Sequence, residues 1–460
     1  MLRLYDTRAR QVEPVVPQGA RILRMYTCGP TVYRHAHVGN LRSYLLADLI
    51  RRVAERKGLR VVTCRNVTDV GHLVDDSDTD PAGEDKVLAQ ARRESRSALE
   101  IARFYEDAFQ ADTLTLNMRP PEHSPRASET IDLMIELIAR LIEKGHAYAV
   151  PDGSVFFDAA SFPSYGEISG NRLDQLQPAY RIEAVDERKR FHADWALWKP
   201  ADHELTWETP WGRGFPGWHI ECSAMSLRFL GDRFDLHTGG IDLRFPHHED
   251  ERAQSNAATG HEVVGHWVHG EHLLFEGRKM AKSTGNVVLL SDVAAAGIDP
   301  LAVRLALMEH RYRQQMNLTW DTLHAADRTL RRWRRRVAEW AESPSRPIEA
   351  GYKTRIQEAL DDDLDTPLAL RLLRDLERDE QIPPGAKFET FLHFDHILAL
   401  DLPADIGRIP VLPAGAGELL EQRERARSAA DWAASDRIRD ELADLGVKVA
   451  DTPDGQTWAL

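Results

Sequence analysis

Apolar residues recur along this chain with two alternating periods, and the switches between them outline its elements. Ile22–Thr27 is an apolar run of strand length, and Val38–Lys57 places leucine and isoleucine at helical spacing up to Gly58. Leu59–Cys64 is apolar again, so strand, helix and strand follow within roughly forty residues, the signature of a βαβ unit. Such a unit predicts a parallel sheet with ligands at the carboxyl ends of its strands. Cys28, the HVGN segment at 37–40 and Asn66–Asp69 all fall on that edge.

An acidic loop, DDSDTDPAGE (75–84), comes next, and helical patterns run near Lys86–Leu114 and Ala127–Lys144. From Tyr148 to about Phe215 the pattern changes to short strands, turns and tryptophans (SVFFD, DWALWKP, WETPWGRGFPG), which predicts an inserted subdomain at 117–215. The sheet then resumes with a helix, HIECSAMSLRFLG, and a strand, FDLHTGGIDL. In FPHHEDERAQSNAATG, Pro246 suits the first position of a helix and Gly260 its stop, so His247 and Glu251 share one face, four residues apart. A short strand pair around His269–Phe275 leads to the basic, glycine-bearing loop GRKMAKSTGN. Beyond Leu323 the chain is nearly all helical, and Arg437–Leu460 closes it with a helix, LGVKVAD and the turn TPDGQ.

Length changes the picture only by number: 460 residues predict roughly three domains. With 42% hydrophobic and 29% charged residues, the balance is that of a soluble globular protein. No run of about 18 apolar residues occurs, and MLRLYDTRARQVEP lacks the apolar core of a signal peptide, so we expect a cytoplasmic protein without membrane partners. A net charge of -14 argues against coating nucleic acid by bulk electrostatics, yet leaves room for a local basic face. Arg328, Arg331, Arg332, Arg334, Arg335 and Arg336 around Trp333 form one such cluster, with intramolecular pairing as the alternative. Cys28, Cys64 and Cys222 are too few and too far apart for a disulfide framework.

Cys28, Cys222, His247 and Glu251 together offer the mixture of thiolate, imidazole and carboxylate that zinc accepts. Spacing leaves two alternatives open, buried structural cysteines and His248 as the rival ligand. HVGN, opening a helix, would aim backbone N–H groups at a phosphate, with Gly39 permitting close approach and His37 adding a donor. The bland alternative is a histidine packed near a turn. Lys279 and Lys282, three apart in one loop, match what a developing polyphosphate charge requires, although solvated lysines look the same in sequence.

In combination these motifs resemble a known pattern. HVGN is similar to the HIGH-type signature, and KMAKS to the KMSKS-type signature, of class I aminoacyl-tRNA synthetases. MYTCGPTVY, NVTDV, GFPGWHIECSAMS, FPHHEDE, ALDDDLDTP and DTPDGQTWAL resemble the cysteinyl-tRNA synthetase family over most of the chain. The resemblance implies an α/β Rossmann-like parallel-sheet catalytic domain (1–116 and 216–317) carrying an inserted acceptor-end, or connective-peptide, subdomain (117–215). A helical bundle (318–402) and a small C-terminal anticodon-binding domain (403–460) would follow.

It further implies an ATP-dependent ligase of protein biosynthesis that activates cysteine to cysteinyl-adenylate and transfers it to the cysteine tRNA. The family's one zinc ion falls to Cys28, Cys222, His247 and Glu251, and selects the substrate thiol. Gly29, Thr31, Thr68, Trp218 and His237 fall beside the amino acid. His37, Gly39, Asn40, Gly240, Asp242, Lys279 and Lys282 fall on ATP, which brings magnesium; His37, Asn40 and the two lysines are the catalytic group. A monomer is expected.

Departures stand beside the match. Where the family often reads TDVDDK this chain reads TDVGHLVDD, with Gly71, His72 and Leu73 in place of two acids and a lysine; Ala281 replaces the central serine of the lysine loop, and HGEHLLFEG precedes it. Two other functions remain in view: a cysteine ligase that delivers to a small-molecule amine, as in the mycothiol pathway, and a non-catalytic RNA-binding relative. The retained C-terminal signature argues against the first, and the intact ligand and phosphate motifs against the second.

Overall fold

Four parallel strands form the central sheet, in the order Val264–Gly270, Phe234–Gly240, Ile22–Thr27, Arg60–Arg65. The computed structural model describes residues 1–17, 21–73, 85–176, 186–280, 286–408, 412–452 and 455–459. Lys282, its neighbours Ala281 and Ser283, and the acidic loop up to Glu84 lie outside the described residues.

Ile22–Thr27 passes through helix Val38–Arg56 to Arg60–Arg65, and Phe234–Gly240 passes through helix His247–Thr259 to Val264–Gly270. The two units therefore leave the middle of the sheet in opposite directions. That makes the gap between Ile22–Thr27 and Phe234–Gly240 a topological switch point, where diverging loops open a crevice at the carboxyl edge. Alternation supplies both faces with core: Leu23, Met25, Leu236 and Val268 enter one cluster, and Tyr26, Cys64, Phe234 and Trp267 the other. Phe234–Gly240 is buried throughout, as a strand covered on both faces must be.

The strand and helix of the first βαβ unit match the hydrophobic pattern to within a residue. Other elements differ from it. The pattern near Lys86–Leu114 is two helices, Lys86–Glu94 and Ala98–Thr115, because Ser95 turns left-handed (φ 53°) and Ser97 restarts the chain with a capping box to Glu100. Near Ala127–Lys144 a short 3₁₀ turn precedes the helix Ile131–Glu143. Pro246 sits one place before the first helical residue, His247, and the four-residue spacing to Glu251 survives on the helix. The two runs around His269–Phe275 do not pair with each other. Val264–Gly270 joins the central sheet, whereas Leu273–Phe275 lies between Arg278–Lys279 and Met316–Leu318 in a separate sheet.

Between the two halves of the central sheet comes an antiparallel sheet in the order Ala147–Ala149, Val155–Phe157, Trp195–Pro200, Gly214–Pro216. Helices Trp320–Ala341, Ala350–Asp361, Thr366–Arg378 and Pro384–Leu398 follow, with Leu330, Trp333, Leu373 and Phe391 fully buried among them. Contacts divide the chain into Met1–Pro403 and Ala404–Leu460. The smaller unit holds helices Ala416–Ser428 and Trp432–Asp444 and the hairpin Lys448–Thr452 with Gly455–Ala459, around Leu420, Ile438, Leu442 and Val447. Among the described residues no helix is long and apolar enough to cross a membrane.

Candidate active site and metal centre

The HVGN segment folds into a reciprocal cap on helix Val38–Arg56. Asn40 N donates to His37 Nδ1 at 3.2 Å, and His37 N donates to Asn40 Oδ1 at 3.2 Å. The cap consumes both acceptors, leaving His37 with Nε2–H and Asn40 with its NH₂ as donors. Burial and the Arg34 guanidinium push His37 down to about 4, so the imidazole is neutral at pH 7. A Cβ on Gly39 would stand 2.6 Å from Met280 Cε and 3.0 Å from His37 Nδ1, so a larger residue would push the Met280 side chain aside and crowd the cap.

A cleft of about 440 Å³ opens at the switch point, and it gathers predicted residues from both halves of the sheet. Cys28, Gly29, Thr31, His37, Gly39, Asn40, Trp218, Gly240, Asp242 and Lys279 all line it. Lys279 arrives on the strand paired with Leu273–Phe275, through Leu274, and is exposed. Asp242 follows the strand end at Gly240, where a side chain would meet its Oδ1 at 2.3 Å. Gly29 is equally constrained: its N–H donates to Asn66 Oδ1 at 2.8 Å, and a Cβ would overlap the Asn66 carbonyl at 1.6 Å.

Behind the cleft lies a buried cluster. Cys28 Sγ is 3.8 Å from Cys222 Sγ, 3.3 Å from Glu251 Oε1 and 3.3 Å from His248 Nε2. Two overlapping donor sets share Cys28 and Glu251: one adds Cys222 and His247, the other His237 and His248, with all donor atoms of a set within 4.8 Å. Hydrogen bonds separate them. His237 Nε2 is already committed to Glu251 Oε2 at 2.9 Å and His248 Nε2 to Cys28 Sγ at 3.3 Å, while His248 Nδ1 is held by His269 Nε2 at 2.8 Å, with His269 in turn on Thr7. His247 Nδ1 is held by His219 at 2.8 Å, while its buried Nε2 has no hydrogen-bond partner among the described residues, although Glu251 Oε1 stands 3.0 Å away. An orphaned buried imidazole nitrogen facing two sulfurs and a carboxylate fits a metal ligand.

Protonation follows the same arrangement. Burial raises the Cys28 thiol well above its ordinary value, helped by Cys222 and Glu251. Burial would raise Cys222 too, but the Cys28 thiol donating to it and the nearby His247 bring it down to about 6. His247 rises to about 10, burial being outweighed by Glu251 and Cys222. Glu251 lies far below the usual carboxylate range, because His237 and His247 outweigh burial. The cluster thus offers sulfur, imidazole nitrogen and carboxylate oxygen to a cation, whose binding would release the protons they share.

Thr68 is buried next to the cleft rather than lining it, accepting from Asn66 Nδ2 at 3.0 Å and donating to Glu221 Oε2 at 3.2 Å. Trp218 lies over His247 with ring centres 4.2 Å apart. Sequence reasoning missed the residues on its other face. His72 stacks on Trp218 at 3.9 Å and 10°, and His72 and Lys86 both line the cleft. Gly71 N donates to Asp85 Oδ2 at 2.7 Å, and Leu73 bridges Asp85. Beyond the acidic loop, Asp85 and Lys86 thus return to the place where the chain leaves Gly71, His72 and Leu73. The signal was visible in the sequence as EDK at 84–86.

The arginine cluster is partly paired within the protein. Trp333 is buried; Arg331 pairs with Asp327 at 2.7 Å, Arg332 with Glu377 at 2.9 Å and Arg334 with Asp299 at 2.5 Å. Arg335 and Arg336 share Glu339, and Arg328 is exposed. Among the described residues Arg332 and Arg334 form ion pairs outside their own helix, whereas Arg331, Arg335 and Arg336 pair within it and stay exposed with Arg328.

The sheet, its switch-point cleft and the capped HVGN helix define a class I tRNA synthetase catalytic fold. Residues 14–328 match the model of the class I (C) tRNA synthetase catalytic domain, and residues 410–458 that of the cysteinyl-tRNA ligase anticodon binding domain. The chain belongs to the cysteine–tRNA ligase family. It is 42% identical to the cysteine–tRNA ligase of Salinibacter ruber over 99% of this chain and 98% of that one, and 42% identical to that of Thermus thermophilus over 100% and 99%. In fold it is similar to Mycobacterium tuberculosis methionyl-tRNA synthetase in complex with methionyl-adenylate (TM-score 0.57, 17% identity, covering 90% of this chain and 96% of that one).

Proposed function

We propose that this protein is an ATP-dependent cysteine–tRNA ligase, forming cysteinyl-adenylate and transferring the cysteinyl group to the terminal adenosine of the cysteine tRNA. The observation that carries the reading is one cleft bounded by a buried thiol–imidazole–carboxylate cluster at one end and the donors of His37, Asn40 and Lys279 at the other. Cys28, Cys222, His247 and Glu251 would hold one zinc ion, which when bound would accept a thiolate in preference to a hydroxyl and so distinguish cysteine from serine. His237 orients Glu251, and His219 fixes the tautomer of His247, as outer partners of metal ligands do.

Activation is an in-line attack of the cysteine carboxylate on the α-phosphate of magnesium-bound ATP, and it asks of the chain mainly position and charge. His37 Nε2–H and the Asn40 amide donate to phosphate oxygens from a helix end whose dipole favours them. Lys279 and Lys282 neutralise the charge that develops on pyrophosphate. Asp242 holds the ATP ribose beside Gly240, while Gly29, Thr31 and Trp218 enclose the amino acid and Thr68 supports them from behind the cleft.

We assign 1–116 and 216–317 to catalysis, 117–215 to the acceptor end of the tRNA, 318–402 to the helical bundle and 403–460 to the anticodon. The match of residues 410–458 to an anticodon binding domain supports RNA rather than a small amine as acceptor. A cytoplasmic monomer is the state we propose. Purified protein with zinc, ATP and labelled cysteine should charge the cysteine tRNA from a total tRNA pool. Cysteine-dependent ATP–pyrophosphate exchange without any tRNA charging would overturn the acceptor assignment.

A further inference from the structure

His72 occupies a junction that the proposed mechanism leaves unused. Its ring lies flat on Trp218, its Nδ1 is 2.6 Å from Thr31 Oγ1, and its Nε2 contacts Lys86 Nζ. A lysine ammonium only donates, so His72 Nε2 is the acceptor and the imidazole is the Nδ1–H tautomer. Nδ1–H then donates to Thr31 Oγ1, whose own hydrogen must seek another acceptor. Thr31 lines the cleft with Cys28 and Trp218, and no protein group among the described residues is shown accepting from its hydroxyl. The chain of bonds thus has one direction, from a cation inward to a hydroxyl hydrogen offered to the cleft.

The backbone is built to hold this direction. Gly71 has φ +86°, and a Cβ there would stand 2.4 Å from Glu221 Oε1 and 2.9 Å from the Pro216 carbonyl, so the residue before His72 must be glycine. Asp85 accepts from Gly71 N and caps the helix that begins at Lys86, which ties the lysine to the histidine it donates to.

We propose that Lys86, His72 and Thr31 form a directed hydrogen-bond relay that positions the carboxylate of the bound amino acid, with the His72 ring holding the Trp218 indole flat over the site. The inference rests on the reading that this cleft activates cysteine. An anionic oxygen is the ligand such a relay fits, since each donor along it is polarised by the ammonium at its start. The three residues are positioning groups that set where the carboxylate stands when it meets the α-phosphate.

The test compares cysteine with cysteamine, which keeps the thiol and amine and lacks the carboxylate. Wild-type, zinc-loaded protein is first assayed for cysteine-dependent ATP–pyrophosphate exchange; failure there overturns the functional reading rather than the relay. His72→Phe keeps the stack and removes both hydrogen bonds. Calorimetry should then show cysteine binding weakened by roughly tenfold and cysteamine binding within about twofold of wild type. Thr31→Val should give the same pattern, and the double variant no further loss, because both break one chain. His72→Gln, which can accept from Lys86 and donate to Thr31, should recover most of the cysteine affinity, and it serves in place of His72→Phe should that variant melt early. Equal weakening of cysteine and cysteamine, additive single effects, or no recovery in His72→Gln would each overturn the relay.

Discussion

The two ends of the cleft are built in opposite ways. At the sulfur end, Cys222, His247 and Glu251 are 1%, 1% and 2% exposed, and His247 and Glu251 are each held by a second buried histidine. At the phosphate end, Asn40 and Lys279 are exposed, and the donors project from a helix cap and a two-residue strand. A buried, tightly positioned cluster suits recognition of one atom type, because a wrong atom leaves buried groups unsatisfied. An open rim suits a large, hydrated polyphosphate that must enter and leave. Selectivity should therefore fail at the first end and rate at the second.

The largest effect tests the buried end. Cys222→Ala should remove bound zinc, read by elemental analysis, and lower cysteine activation on the order of a thousandfold. Zinc retained at full occupancy would point to the other donor set, with His237 and His248. At the rim, Lys279→Ala should slow adenylate formation on the order of a hundredfold in single-turnover assays while leaving the melting temperature within about two degrees of wild type.

His37→Asn separates cap from chemistry, since asparagine also caps a helix but lacks an Nε2–H. Adenylate formation should fall roughly tenfold or more. Because His37 titrates near 4, it is neutral throughout pH 5.5–8, and the shape of the rate profile there should not change. A wild-type limb in that window that vanishes in the variant would contradict the neutral assignment. The smallest catalytic effect belongs to Arg334→Ala, far from either end. Losing the pair to Asp299 and the bonds to the Leu400 and Asp401 carbonyls should cost about 1–3 kcal/mol in urea unfolding, with exchange kinetics unaltered.

What the sequence revealed follows the same division. Period and glycine placement were enough for the first βαβ unit and for the spacing of His247 and Glu251, because those depend on local geometry. Helix breaks at Ser95 and Ser97 escaped, since a left-handed turn leaves the apolar pattern nearly continuous. The proposed donor set came from resemblance; spacing could not join Cys28 to Cys222, which meet only through the sheet's crossover. His72 and Lys86 were hidden by the acidic loop between them, and contact with Trp218 is a tertiary fact. The arginine helix was half legible, because a charged cluster in sequence does not show that Glu377 and Asp299 will face Arg332 and Arg334.

The central claim is that a metal-bound thiol and ATP meet in one cleft, and cysteine-dependent ATP–pyrophosphate exchange by metal-depleted protein tests it most directly. Exchange should be nearly absent after chelation, return with stoichiometric zinc, and stay absent with serine. Undiminished exchange in the depleted protein, or equal activation of serine, would contradict the account.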